Sequence, residues 1–475
     1  MPQTLPGSKS GLTLFLLSTT VAVYSLLEAM LAPALTVIQE GVGATTAEIA
    51  WVFTGLLLSA AVTTPVASRL GELYDKKYVL LCVLFVTTGG TFLSGVATTP
   101  TVLAGGQVLQ GVGLSLVPLS LGLIRETQPA RRAGFANGLV IGVSGASAAI
   151  GILLAGPIVE RLPYQFLYYI PGTLLIVLMV AIAVTIPRSS VRAIGGRTDW
   201  LGAFLLGGGL TLLLIGVTRA ASHGWTSGFV VGLAVFGLVI LVVFVMFERK
   251  TAEPLLDVRI GSRTVAIAYT IAFTIGFASS TFLLTVPTIV GAPEESGYGL
   301  GGSATVTGLV LLPFGIMTAV SAPLSGQISK ILGVRAALVV ALGSVTLSSA
   351  ALLYSEGRAE VLLLAGGLLG VGAGLGLTQV MNIISATAPA ERATTAMGMA
   401  FVIRSIGGAI GGQVVGSILA SNAVPGLPVP AWGGFIGSFA LLGTFGLLAA
   451  CLVFAIPRAH SQVAIPRAHS KVATD

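Results

Sequence analysis

Charge is what this chain has least of. Only 9% of its 475 residues are Asp, Glu, Lys or Arg, while 55% are hydrophobic and the mean hydropathy is +0.98. A water-soluble domain normally carries about a quarter charged residues, so a soluble globule is excluded. Histidine is scarce as well: three residues, none within an apolar run. The two cysteines, Cys82 and Cys451, stand alone in distant apolar segments. They lack the paired spacing of a disulfide framework or a metal site and read as small apolar residues. No Gly-Lys dipeptide occurs, which removes the P-loop, and no polar connection is long enough for a nucleotide-binding domain. Any work must therefore come from a gradient or from downhill flow, without a cofactor. The apolar runs contain no Ser/His or Asp/Asp pairing, so enzymatic chemistry is not expected.

What is present in quantity is apolar length. Fourteen segments of about 20 residues recur, the length a helix needs to cross a bilayer. The expected fold is an all-α integral membrane protein. The first segment, Gly11 to Leu35, is too long for a signal-peptide core and has no small-residue cleavage site after it, so it should remain in the mature protein. With the N-terminus placed in the cytoplasm, the inner connections hold 20 of the 24 Lys and Arg residues. The net charge of +7 is then the positive-inside signal rather than a nucleic-acid footprint, and both termini are expected in the cytoplasm.

The chain also repeats itself. At an offset of 260, residues 129–151 match 389–411 at nine positions, including Pro129/Pro389, Arg132/Arg392, Gly138/Gly398 and Gly151/Gly411. At an offset of 258, the segment around Pro65 matches that around Pro323. This predicts two pseudo-symmetric six-helix bundles of parallel orientation with two helices inserted between them. The expected domains are residues 1–187, a linker with the inserted helices at 188–263, a second half at 264–456 and a cytoplasmic tail at 457–475. That tail duplicates AIPRAHS and carries His460 and His469 without any metal-like setting.

Of seventeen acids, sixteen fall in connections, tails or helix ends; Glu28 alone lies deep in a span, and Arg404 is the one base equally deep. Such residues cost about 2.5 to 3.5 kcal/mol on insertion scales and usually face a bundle interior or a water-filled cavity. Thr20, Tyr24 and Glu28 recur every four residues, which puts them on one helix face. Burial disfavours the charged form of a carboxyl, which suits Glu28 to take up and release a proton near neutral pH. The alternative is a protonated carboxyl bonded to a neighbouring helix. Arg404 has two readings as well, proton coupling or satisfaction on nearby backbone carbonyls. Gln107, Gln379 and Asn382 are cavity hydrogen bonders or helix–helix contacts.

Two six-helix halves, the charged cluster SRLGELYDKKY after the second segment and the small-residue run GVSGASAAIGILLAGP in the fifth resemble the major facilitator superfamily. Fourteen segments, DWLG at Asp199 to Gly202 and EPLLD at Glu253 to Asp257 look like its fourteen-helix drug/proton antiporter branch. The resemblance implies a cytoplasmic latch. The repeat aligns Ser68 with the motif's first glycine, Glu72 with its acid, Asp75 with its second glycine, and Lys76 and Lys77 with its basic pair. Glu126 resembles a further acid, and the acid of the latch is expected to meet the start of the penultimate helix at Thr394 and Thr395. The other reading is a solvated charged loop that sets topology. Two positions depart from the family: Gln107 stands where its helix 4 motif has arginine, and its helix 5 motif, a Gly-Pro pair and then two glycines, has Gly151 and Ile152 for the pair with Ala155 and Gly156 after.

The resemblance implies alternating access about a central site, with export against protons; the few charges in the spans suit an amphipathic or hydrophobic substrate, neutral or singly cationic. Tyr24, Gln107, Gln379 and Asn382 are the expected lining, and Glu28 and Arg404 the coupling pair. The expected partners are a small-molecule substrate, protons and the lipid bilayer of the plasma or inner membrane, with no nucleic acid, and the chain is expected to act as a monomer. A second reading is a carrier of one endogenous metabolite or lipid, without proton antiport.

Overall fold

The computed structural model describes residues 7–127, 130–186, 198–251, 254, 263–387, 393–422 and 429–456. The tail repeat beyond Ile456, the basic linker at 188–197 and all of the 253–257 segment except Pro254 lie outside them. Regular structure among the described residues is helical. Its helices are α1 (Gly7–Met30), α2 (Leu35–Gly41), α3 (Thr46–Leu73), α4 (Lys76–Gly95), α5 (Pro100–Gly111), α6 (Leu116–Thr127), α7 (Ala130–Arg161), α8 (Phe166–Thr185), α9 (Trp200–His223), α10 (Gly228–Lys250), α11 (Arg263–Gly291), α12 (Ala304–Leu332), α13 (Val334–Leu353), α14 (Ala359–Thr387), α15 (Ala393–Ser421) and α16 (Trp432–Val453).

These make fourteen spans long and apolar enough to cross a membrane. The helices outnumber the spans because two spans are broken, which the run lengths alone do not reveal. The first stops at Met30, turns, and resumes as α2. Pro33 lies in that turn; it has no N–H for the carbonyl four residues back and crowds it. The fourth span passes through a 3₁₀ turn, Val112–Ser115, between α5 and α6, just ahead of Pro118. Tyr24 fills the space beside this break, its ring lying where a Cβ on Gly113 would stand.

Helices α1–α8 pack with one another, as do α11–α16, and the two halves meet mainly through α7 against α12 and α3 against α15. The inserted α9 lies against α3 and α15, tied by the Ser417 hydroxyl donating to the Val217 carbonyl at 2.8 Å, and α10 rests on α9. Large apolar side chains of α10 are exposed around most of its surface, including Phe229, Phe236 and Met246, as a helix facing lipid requires.

Glycine controls how closely the helices approach. Lipid tails are as apolar as leucine, so membrane helices associate through close packing rather than hydrophobic exclusion, and small residues permit it. A Cβ on Gly151 would stand 2.5 Å from the Leu26 carbonyl oxygen, and one on its repeat mate Gly411 would stand 2.8 Å from that of Phe277. The matched pair therefore closes equivalent contacts, α1 to α7 and α11 to α15. Gly156 and Gly416, again 260 apart, do the same between halves: Gly156 sits against Thr305 at the start of α12, and Gly416 against Ala50 near the start of α3.

Gly411→Leu should force α11 from α15 and cost about 1 to 3 kcal/mol. Gly11→Ala, which meets nothing within 4 Å, should be silent. Thermal unfolding of the purified protein in detergent separates the two: the first variant melts several degrees lower, the second at the wild-type temperature.

Candidate functional site

A cavity of about 320 Å³ lies between the halves at mid-depth. Its wall from α3 is Leu56 and Leu57, some ten residues into that helix and so about 15 Å from its start. From α1 come Ser25, Glu28 and Ala29, spaced 3 and 4 residues as one helix face, and Ala32 follows in the turn after it. Beside them α7 contributes Ser144, Gly145, Ala148 and Ile152. The other half supplies Ser279, Ser280 and Leu283 of α11, Phe314 and Thr318 of α12, Leu377 of α14, and Arg404 and Gly408 of α15. The wall is thus mostly apolar with a few converging polar groups, the usual character of a small-molecule site.

Glu28 and Arg404, singled out by their depth, line this one cavity from opposite halves. Each lies within the other's electrostatic field, yet neither makes a hydrogen bond or ion pair with a described residue. Glu28 is thus not tied to a neighbouring helix, and the Arg404 guanidinium is not folded onto backbone carbonyls. Most of the hydroxyls around them are already committed. Ser25 and Ser144 bond each other at 2.6 Å, Ser279 donates to the Ile275 carbonyl at 2.8 Å, and Thr318 donates to that of Phe314 at 2.7 Å. Arg404 is held in place by a close approach, since Gly276 of α11 lies directly against its carbonyl oxygen.

The residues expected to accompany the pair lie elsewhere. Tyr24 shares a helix with Glu28 but turns into the first half, 1% exposed, and Thr20 is fully buried on the same side with its hydroxyl on the Leu16 carbonyl. Four residues at 100° each advance 400°, so the stripe drifts by 40° per step. That drift leaves Thr20 and Tyr24 inside the bundle while Glu28 reaches the cavity with Ser25. Gln107 is buried between α5 and α4, its amide donating to Ser94 Oγ at 3.2 Å and to Gln110 Oε1 at 3.4 Å. Gln379 is likewise buried, bonding the Ser325 carbonyl at 2.8 Å and joining α14 to α12. Both glutamines serve as helix–helix contacts. Asn382 is exposed and lies outside the cavity wall. Sequence reasoning missed the serines, whose small hydroxyls give no periodic signal, although Ser144 occupies the repeat position of Arg404.

Of the expected latch, Asp75 caps α4 by accepting from the Lys77 N–H at 3.0 Å, and the Lys77 ammonium donates to the Ala183 carbonyl at the end of α8 at 2.7 Å. These contacts stay within the first half. Ser68 is half-buried on α3, and the stem of Lys76 passes over Gly122 of α6. The side chains of Glu72, Glu126, Thr394 and Thr395 lie outside the described residues. In the fifth span, Gly151 and Gly156 make the close approaches given above and Ala155 is fully buried beside them.

The Major Facilitator Superfamily profile matches residues 17–199, 199–412 and 268–473. The chain belongs to that superfamily. Among its relatives, the multidrug resistance protein Stp of Mycobacterium tuberculosis is 29% identical over 78% of this chain and 68% of that protein. The tetracenomycin C resistance and export protein of Streptomyces glaucescens is 28% identical over 85% of this chain and 74% of its own length. The probable actinorhodin transporter of Streptomyces coelicolor is 26% identical over 80% and 67%. The nucleoside transporter NupG shares the fold with a TM-score of 0.63 at 12% identity, covering 93% of this chain and 98% of that one. An auto-inhibited POT family peptide transporter does so at 0.64 and 12%, covering 97% and 99%. This superfamily member is thus a multi-pass membrane transporter, and its family and relatives are carriers rather than enzymes.

In a background lacking Cys82 and Cys451, Ser144→Cys and Ser279→Cys should react with a small hydrophilic thiol reagent, whereas Gln107→Cys should stay unlabelled. Mass spectrometry of the labelled protein checks both outcomes.

Proposed function

We propose that the chain is a proton-coupled exporter of amphipathic or hydrophobic small molecules that works by alternating access in the cell membrane, with both termini in the cytoplasm. The observation that carries this reading is the mid-depth cavity with an acid from one half and a base from the other, neither satisfied by the protein. A carboxylate in that position binds either a proton or a substrate group, and competition between the two ligands is what antiport requires. The resistance and export functions named for the relatives above support the outward direction.

The state in hand fits one step of the cycle. At the end of the bundle where α3 and α12 begin, the halves are held together by Gly156 against Thr305, Gly416 against Ala50, and Gly291 of α11 against Thr36 of α2. Glu160 at the end of α7 adds a hydrogen bond, accepting from the Thr305 N–H at 3.2 Å. With the N-terminus cytoplasmic, this is the external side, so the site would be shut from outside. Rocking the halves about the cavity would open these contacts and re-form the cytoplasmic latch around Glu72, Asp75, Lys76, Lys77 and Glu126. The proton gradient replaces any cofactor, and a single chain in the bilayer, with no nucleic-acid partner, suffices for the cycle.

Glu28→Gln, expressed to the wild-type level, should lose uphill efflux and no longer dissipate a pH gradient when substrate is added to proteoliposomes. Gradient-driven transport at the wild-type rate would remove Glu28 from the coupling role. Glu72→Ala should slow turnover about ten-fold or more while substrate affinity stays within two-fold; unchanged turnover would sink the latch.

A further inference from the structure

Hydrogen-bonding capacity in the cavity is unevenly left over. The Ser25, Ser144, Ser279 and Thr318 hydroxyls are used within the protein. Beyond the small Ser280 hydroxyl, which can both donate and accept, what remains are the donors of Arg404, whose Nε is buried without a partner, and the acceptors of Glu28. A guanidinium has five donors and no acceptor, so only an acceptor atom can satisfy it. A carboxylate accepts, so it calls for a donor. The volume, about 320 Å³, is that of a small drug-sized ligand, and the wall between the two groups is apolar, with Phe314 as its aromatic surface.

We infer that Arg404 is a specificity-determining residue: the cavity selects flat or compact amphiphiles carrying an acceptor oxygen, a carbonyl or phenolate for Arg404, beside a hydroxyl or amine donor for Glu28. Hydroxylated aromatic ketones and quinones have this arrangement. A lipophilic cation without oxygen does not: it leaves the Arg404 donors unfilled and places a second positive charge beside them. A site built to hydrogen-bond a polar group discriminates strongly against analogues lacking it, because its own buried groups are then stranded. The inference rests on the exporter reading in taking this cavity as the substrate site. It changes that reading in one respect, since singly cationic compounds without oxygen become poor ligands.

The test is equilibrium binding to the purified full-length protein in detergent at fixed pH, without a gradient. The probes are alizarin, a hydroxyanthraquinone, and tetraphenylphosphonium. Wild type should bind alizarin more tightly. Arg404→Gln should weaken alizarin about ten-fold or more and leave tetraphenylphosphonium unchanged or tighter. Arg404→Lys keeps the charge without the planar fork; it should weaken alizarin several-fold without changing the cation, and it decides the matter if Arg404→Gln is not monodisperse. Alizarin affinity within two-fold of wild type in both variants, an equal loss for both probes, or no alizarin binding to wild type would each overturn the inference. Failure of wild-type proteoliposomes to move either probe under a pH gradient would instead count against proton-coupled export, leaving the binding result to stand or fall separately.

Discussion

A charge placed in hydrocarbon costs about 2.5 to 3.5 kcal/mol on insertion scales, and far more if nothing solvates or pairs it. This chain accepts that cost deep in its spans at two positions, Glu28 and Arg404, and the fold is arranged so that neither meets lipid. Both line the mid-depth cavity at the seam between the halves. The seam in turn exists because the backbone groups of each half are satisfied inside its own helices, so the halves meet mainly along α7/α12 and α3/α15, with a smaller contact of α11 on α2. Small residues make those contacts close without large interlocking side chains.

The internal repeat supplies the frame, and its departures supply the chemistry. Gly151 and Gly411 occupy equivalent contacts, against Leu26 and Phe277, so α1 and α11 correspond at an offset of 251. On that frame Ser279 stands where the first half has Glu28, and Ser144 stands where the second half has Arg404. One half therefore carries the acid and a serine, the other the base and a serine. A strictly symmetric protein would oppose acid to acid or base to base across the seam, at a cost in repulsion. The asymmetry places opposite charges near each other instead, close enough to interact and far enough apart to leave room for a ligand.

Polarity at helical spacing proved an incomplete guide to the cavity. Thr20, Tyr24 and Glu28 look equivalent along α1, but Tyr24 packs beside the break in the fourth span, which depends on Pro118 and on Gly113 making room for the ring. Gln107 and Gln379 are equally plausible as lining by composition; their neighbours, Ser94 and the Ser325 carbonyl, take up their amides within a half. The lining serines were illegible for the opposite reason. A serine hydroxyl can bond its own helix, so its presence in a span says nothing about which way it faces.

The sequence by itself determined the class, the number of spans, the duplication and the two costly charges, because each follows from local composition, run length or self-similarity. The family was legible too, in motifs confined to short segments. The tertiary structure alone decided that Glu28 and Arg404, 376 residues apart, share a cavity, and that the polar residues nearest them in pattern do not. Which face of a helix meets the seam depends on how closely its neighbours approach and where prolines break the spans, and those are properties of helix pairs rather than of any one segment.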